Sequence, residues 1–305
     1  MWNKAVLGLF GGLTLALATS LATTADAAPK PSATATVTSR YVALGDSYAA
    51  GVGAGSYVSD GTSCRRSLLG YGGLIAANNG FALNLQACSG AVTGDVLTKQ
   101  LGAVTADTNY VTISIGGNDI GFASVLTTCL GTNTTACLNA ITAAETKATN
   151  ELPAKLDAVF GGARGKAPAA TIVATNYPRL FNGKDCSLLT SFTSTEMTRL
   201  NAGADTLSGV ISAAATRAKI TFSDVRTPFV GHAVCASTPW IRNASLFTQY
   251  ESFHPNATGY KSGYNPPVAA SLGVSATKVV TTTSTVTTGG QTSSDTTRGV
   301  VKVSK

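Results

Sequence analysis

The chain has 305 residues, 44% of them hydrophobic and only 12% charged. That is enough apolar material for one large α/β domain or two small ones, and it excludes a chain disordered throughout. The formal net charge of +7 comes with no Lys/Arg run longer than Arg65–Arg66, which argues against nucleic acid as a partner and leaves at most transient contact with an anionic lipid or cell-wall surface.

Residues 1–27 open with a short cationic MWNK, continue through an apolar stretch punctuated by Gly and Thr, and end with Ala25 and Ala27 at signal-peptidase spacing. They read as a secretory signal peptide. No later segment has the length of apolar sequence that a bilayer crossing needs, so the mature protein is expected to be secreted and extracellular. Residues 28–39, rich in Pro, Ser, Ala and Thr, read as a flexible lead-in.

Five short apolar runs follow: YVALG (41–45), FALNLQA (81–87), YVTISIG (110–116), TIVATNY (171–177) and KITFSDV (219–225). Each is bounded by Gly, Asn or Asp, and together they suit buried parallel strands. Helix-like spacing lies between them in YGGLIAANN, TGDVLTKQL, ACLNAITAAETKATNEL and PAKLDAVFGGA. Thr193 with Glu196 makes a capping box for a long helix through MTRLNAGADTLSGVISAAATRA. Strand and helix alternating along one chain imply an α/β fold with a doubly wound parallel sheet, in which ligands sit beyond the carboxyl ends of the strands. From residue 274 to 305 the composition shifts to Thr, Ser, Gly and Val without aromatics. This stretch reads as a polar extension whose Val/Thr alternation could also support an added strand or hairpin.

Six cysteines in an exported chain point to disulfides. Their clustering pairs Cys64 with Cys88, Cys129 with Cys137, and Cys186 with Cys235. No CxxC spacing is present, and only His232 and His254 could complete a site, so no metal is expected.

The run RYVALGDSYAAGVGAG places Ser47 just past the carboxyl end of the first strand, where a ligand crevice opens. The bland alternative makes Ser47 a helix N-cap. A serine nucleophile needs a base. His254 in YESFHPNATGY is the stronger candidate, because Glu251 three residues earlier could accept the proton of the other ring nitrogen. His232 in FVGHAVCAS has no carboxylate close in sequence and reads as structural. Acyl transfer also needs donors aimed at the developing oxyanion. Gly90 in ACSGAVTGD and Asn118 in SIGGNDIGF follow the second and third strands and can supply them. Asp46 and Asp119 read as acceptors for nearby backbone donors. GVGAGS lacks the third glycine of a dinucleotide fingerprint, and the GxSxG elbow of the α/β-hydrolases is absent.

These blocks resemble the SGNH, or GDSL, hydrolase superfamily over residues 40–265: Ser47 in GDS, Gly90 in ACSGAVTGD, Asn118 in IGGND and His254 in FHPN, in the family's order. The cysteine pairs and the SFHPNATGY ending are most similar to its secreted actinomycete branch of lipases, esterases and phospholipases. The resemblance implies a three-layer α/β/α, flavodoxin-like hydrolase domain at 40–273 with a five-stranded parallel sheet. It implies an oxyanion hole made by the Ser47 and Gly90 N–H groups and the Asn118 side chain, with His254 as general base and no cofactor. The family usually carries Asp where this chain has Glu251, and some secreted relatives orient the imidazole with a main-chain carbonyl. Glu251 is taken here as the orienting acid, with that carbonyl as the alternative. The expected activity is hydrolysis of carboxylic esters, of lipids or phospholipids above all, through an acyl-serine intermediate in a monomer. Removal of acetyl groups from polysaccharide at the same site is one alternative, and a non-catalytic glycan- or lipid-binding protein is another.

Overall fold

Arg40–Gly45 forms β1, with Tyr41 to Leu44 buried, and it lies between two parallel neighbours. A strand covered on both faces needs an unbroken apolar run rather than an alternating one, which is what YVALG supplies. The computed structural model describes residues 38–278, 280–288 and 291–299; the signal-peptide reading and almost all of the lead-in fall outside them.

After β1 comes one turn of helix, α1 (Ser47–Ala50), then α2 (Tyr71–Asn79) and β2 (Ala82–Leu85). A short α3 (Thr93–Asp95) leads to β3 (Tyr110–Ser114), followed by α4 (Phe122–Cys129), α5 (Thr134–Asn150), α6 (Leu152–Lys166), β4 (Thr171–Thr175) and α7 (Ser194–Arg217). β5 (Thr221–Ser223) and α8 (Asn265–Leu272) complete the domain. The sheet is parallel throughout, in the order β2-β1-β3-β4-β5. β3 and β4 are buried like β1, whereas the edge strand β2 alternates exposed and half-buried residues; the expectation of full burial fails there because an edge has cover on one side only. Helix α2 packs on α8, and α8 on β4 and β5, while α4 to α7 pack in series and α7 covers β4 and β5. The result is the three-layer α/β/α sandwich.

The capping box holds as the sequence predicts: Thr193 Oγ1 accepts from Glu196 N at 3.2 Å, and Glu196 Oε2 accepts from Thr193 N at 2.8 Å. The expected helix over TGDVLTKQL is broken. α3 passes into a π turn (Val96–Gln100) and then a 3-10 turn (Leu101–Ala103). Within that break the Gln100 side chain turns inward and bonds both backbone groups of Gly45, at 2.7 and 2.9 Å.

Disulfides join Cys64 to Cys88, Cys129 to Cys137, and Cys186 to Cys235. In the C-terminal stretch, β6 (Val280–Thr288) and β7 (Gln291–Gly299) form an antiparallel hairpin. Among the described residues no helix is long and apolar enough to cross a membrane, and no three His, Cys, Asp or Glu side chains gather as a metal site.

Candidate active site

Strand order reverses between β1 and β3, and a crevice opens there at the carboxyl ends of the strands. At the end of β1, Gly45 has φ +129°, and a Cβ on it would stand 2.0 Å from Ser114 O. Only glycine lets β1 lie this close to β3 while turning. Asp46 N then donates to Ser114 O at 3.0 Å. The N-cap of α1 is Asp46, not Ser47: its Oδ1 accepts from Tyr48 N at 3.0 Å. Ser47 therefore occupies the first helical position with its hydroxyl free for other work.

That hydroxyl meets His254. The ring Nε2 lies 2.7 Å from Ser47 Oγ, and Nδ1 lies 3.0 Å from Ser252 O. A carbonyl only accepts, so Nδ1 carries the proton and Nε2 is left as the acceptor for the serine hydroxyl. Burial pushes the imidazole down to about 4, against smaller upward contributions from Ser252 and Glu251, so the ring is neutral at neutral pH.

The expected role of Glu251 as orienting acid is corrected here. Its carboxylate accepts from the Tyr57 hydroxyl and faces Arg242 Nε at 3.4 Å. Its link to His254 is through the backbone, His254 N donating to Glu251 O at 3.1 Å. The side chain is long enough to reach across to the 51–57 turn, and the main-chain carbonyl of Ser252 takes the place at the ring.

The turn that presents His254 is strained and braced. Phe253 sits at φ +62°, a region that costs a bulky residue on the order of 1 kcal/mol or more. Its ring packs near Phe181 and Phe192, its N–H donates to Arg242 O at 3.0 Å, and its carbonyl accepts from the Tyr48 hydroxyl at 2.6 Å. Tyr48 follows Ser47 directly, so one side chain ties the turn of His254 to the helix of Ser47.

Gly90 and Asn118 come to the same cavity as Ser47 and His254. Gly90 is exposed at φ +83°, and its N–H finds no acceptor among the described residues. Asn118 Nδ2 donates to Ala91 O at 2.9 Å, leaving its second N–H available. The neighbouring Asp119 accepts from Thr93 N at 3.0 Å and Thr93 Oγ1 at 2.5 Å, tying the loop after β3 to α3. The other histidine, His232, stacks on Trp240 at 3.7 Å and bonds Thr238 O through Nδ1 at 2.8 Å, and it does not line the cavity that holds Ser47 and His254.

Residues 43–262 match the GDSL-like lipase/acylhydrolase family. The chain belongs to that family. Lipase 1 of Streptomyces coelicolor is 42% identical over 265 residues, covering 86% of this chain and 96% of the relative. A lipase of Streptomyces rimosus is 43% identical over 256 residues, covering 83% and 92%. Among solved structures, the extracellular lipase of Streptomyces rimosus superposes with TM-score 0.73 at 41% identity, over 76% of this chain and 99% of the other. Phospholipase A1 of Streptomyces albidoflavus does so with TM-score 0.74 at 40% identity, over 77% and 99%.

Three features of this GDSL-family site go beyond what the sequence analysis assigned. Tyr177 donates its hydroxyl to Asp46 Oδ2 at 2.5 Å and accepts from Gly117 N at 3.2 Å, linking the loops after β1, β3 and β4. Its place two residues past β4 is the signal that could have found it. Asp46, pushed up to about 7 by burial against these hydrogen bonds, joins the serine loop to that link. The Gln100 clamp on Gly45 carried no sequence signal at all.

Proposed function

We propose that the chain is a secreted serine esterase that hydrolyses lipid acyl esters through an acyl-Ser47 intermediate. The observation that carries this reading is the 2.7 Å contact between His254 Nε2 and Ser47 Oγ at the wall of an apolar cavity. Ser47 Oγ attacks the ester carbonyl carbon while its proton passes to Nε2. The carbonyl oxygen becomes an alkoxide and is received by the N–H groups of Ser47 and Gly90 and by Asn118 Nδ2, donors of a kind each worth roughly a hundredfold or more in turnover. His254 returns the proton to the leaving alcohol, then takes one from the water that releases the acid.

The cavity, about 530 Å³ in volume, favours a long acyl chain. Val125 and Leu126 of α4, Leu130 just past its end, Ile141 of α5, and Leu200 and Leu207 of α7 line it, and an alkyl chain would exchange water for those side chains along its length. An acetyl group on polysaccharide would leave most of that space unfilled. The names of the relatives, lipases and a phospholipase A1, support lipid esters. The extracellular relative and the N-terminal signal pattern support secretion.

A fluorophosphonate tests the reading. Covalent labelling at Ser47, with hydrolysis of long-chain p-nitrophenyl esters by the labelling-competent protein, is the expected result. A chain that neither labels nor turns over any ester would be a binding protein instead.

A further inference from the structure

Two large apolar side chains stand almost wholly in water beside the cavity mouth: Leu188 at 104% and Phe247 at 97% exposure. Each is next in sequence to a residue that lines the cavity, Leu189 and Leu246. Neither tip is a loose end. Asp185 holds the first loop by accepting from Ser187 N at 3.1 Å, Thr190 Oγ1 at 2.6 Å and Phe192 N at 2.8 Å. Ser245 holds the second, its N–H donating to Ser252 Oγ at 3.0 Å and its Oγ accepting from Thr248 N at 3.1 Å. The Cys186–Cys235 disulfide anchors the first loop, and Asn243 Nδ2 reaches Cys186 Sγ at 3.4 Å from the second. Built turns that hold apolar side chains out into solvent, contiguous with an acyl-sized cavity, form a patch of the kind that marks an interaction surface.

Two cations stand at this edge, and the one carboxylate on the first loop, Asp185, is turned onto donors of that loop itself. The Arg65 guanidinium lies 4.0 Å over the ring of Tyr250, a residue that also lines the cavity. Lys184 precedes Leu188 on the same loop. Neither makes an ion pair among the described residues.

We propose that Leu188 and Phe247 are the prongs of a membrane-docking face that seats the cavity mouth on a phospholipid bilayer, with Arg65 and Lys184 meeting the phosphates of anionic headgroups. The proposal rests on the esterase reading only for the identity of the cavity as an acyl site. Docked this way, an acyl chain passes from bilayer to cavity without crossing water, and the cations gather the protein to negatively charged surfaces.

The test uses the full chain carrying Ser47→Ala, so that lipid is not consumed, floated with vesicles of phosphatidylcholine mixed with phosphatidylglycerol. The parent is expected to float with them. Leu188→Ser with Phe247→Ser should weaken partitioning by about a hundredfold, roughly tenfold for each buried side chain withdrawn. Arg65→Gln with Lys184→Gln should remove the dependence on phosphatidylglycerol and on salt. In chains retaining Ser47, the serine substitutions at 188 and 247 should leave turnover of a water-soluble short-chain ester within about twofold of the parent, which also reports correct folding. Leu188→Trp provides an independent reading: its emission should shift to the blue on vesicles and be quenched by brominated acyl chains. The proposal is overturned by a parent that does not float, by unchanged flotation of the double serine variant, by a tryptophan at 188 that ignores vesicles, or by a dimer that the double serine variant splits, which would make this face a contact between copies. Absence of soluble-ester turnover in the unsubstituted chain would instead count against the esterase reading and leave the flotation result to stand alone.

Discussion

The Glu251 carboxylate accepts from the Tyr57 hydroxyl across 194 positions of sequence and faces Arg242 Nε at 3.4 Å. Its work is therefore to fasten the 51–57 turn to the turn that presents His254. Glu251→Gln keeps an acceptor for Tyr57 and removes a charge whose partner, Arg242, is 39% exposed and screened by solvent. We expect kcat within about twofold of the parent across pH and a stability loss below about 1 kcal/mol. Paired kinetics and urea unfolding check both. A collapse of kcat would restore the carboxylate to the proton path.

Ser47→Ala and His254→Ala should each lower kcat by about a thousandfold or more, and the two together should cost little beyond either alone, because they act as one unit. Steady-state turnover of a p-nitrophenyl ester at matched concentrations of folded protein gives the comparison.

Acid should silence the enzyme late. Burial sets the His254 imidazole at about 4 instead of its ordinary 6.5, so the acid limb of kcat/KM is expected near 4. A lowered folded pKa means that the unfolded chain binds the proton more readily. The His254 contribution to stability is thus complete above 6.5 and lost as pH falls towards 4. Asp46 runs the other way: raised from 3.8 to about 7, it contributes stability that is complete below 3.8 and lost as pH rises through about 7. Asp46→Asn should remove that second slope, so its Tm relative to the parent's should climb between pH 4 and 7. Melting curves across that range are the measurement.

Gly203 lines the cavity from α7, and a Cβ there would meet Glu145 and Ile141 at an ordinary 3.7 Å. Leucine at this position fits by taking up cavity space. Gly203→Leu should lower kcat/KM for long-chain esters by about tenfold or more and leave short-chain esters within about twofold. A chain-length series of p-nitrophenyl esters reads this directly.

The disulfides differ in the chain they close. Cys186–Cys235 spans 49 positions and Cys129–Cys137 spans 8, so replacing each pair by serine should cost about 4 and about 2.5 kcal/mol respectively on the loop-entropy relation. Equal losses in urea would show that native packing, not loop closure, sets their value.

How far the site was legible depends on how local its determinants are. β1, β3 and β4 announce themselves because burial on both faces demands unbroken apolar runs, and the turns at their ends follow from Gly45 and Gly116. Ser47, Gly90, Asn118 and His254, which the fold brings to one cavity, could be singled out because each belongs to a short block at a strand end or in a turn. Tyr57, Gln100 and Tyr177 act on groups 194, 55 and 131 positions away, and no periodicity encodes such pairings. Glu251 misled for the same reason. Its position near His254 in sequence says nothing about a tyrosine that folding brings to its other side. The helix expected at TGDVLTKQL failed because Gln100 has a backbone to hold, and the π turn is the geometry in which it does so.

Ser47 stands at the end of the first strand and His254, its hydrogen-bond partner, 207 positions later, near the close of the domain. No fragment ending before residue 254 contains both halves of the pair. Recovery of turnover during refolding will therefore time the last closure of the whole domain, so the enzyme carries its own clock for complete assembly, readable by a colorimetric ester without any added label.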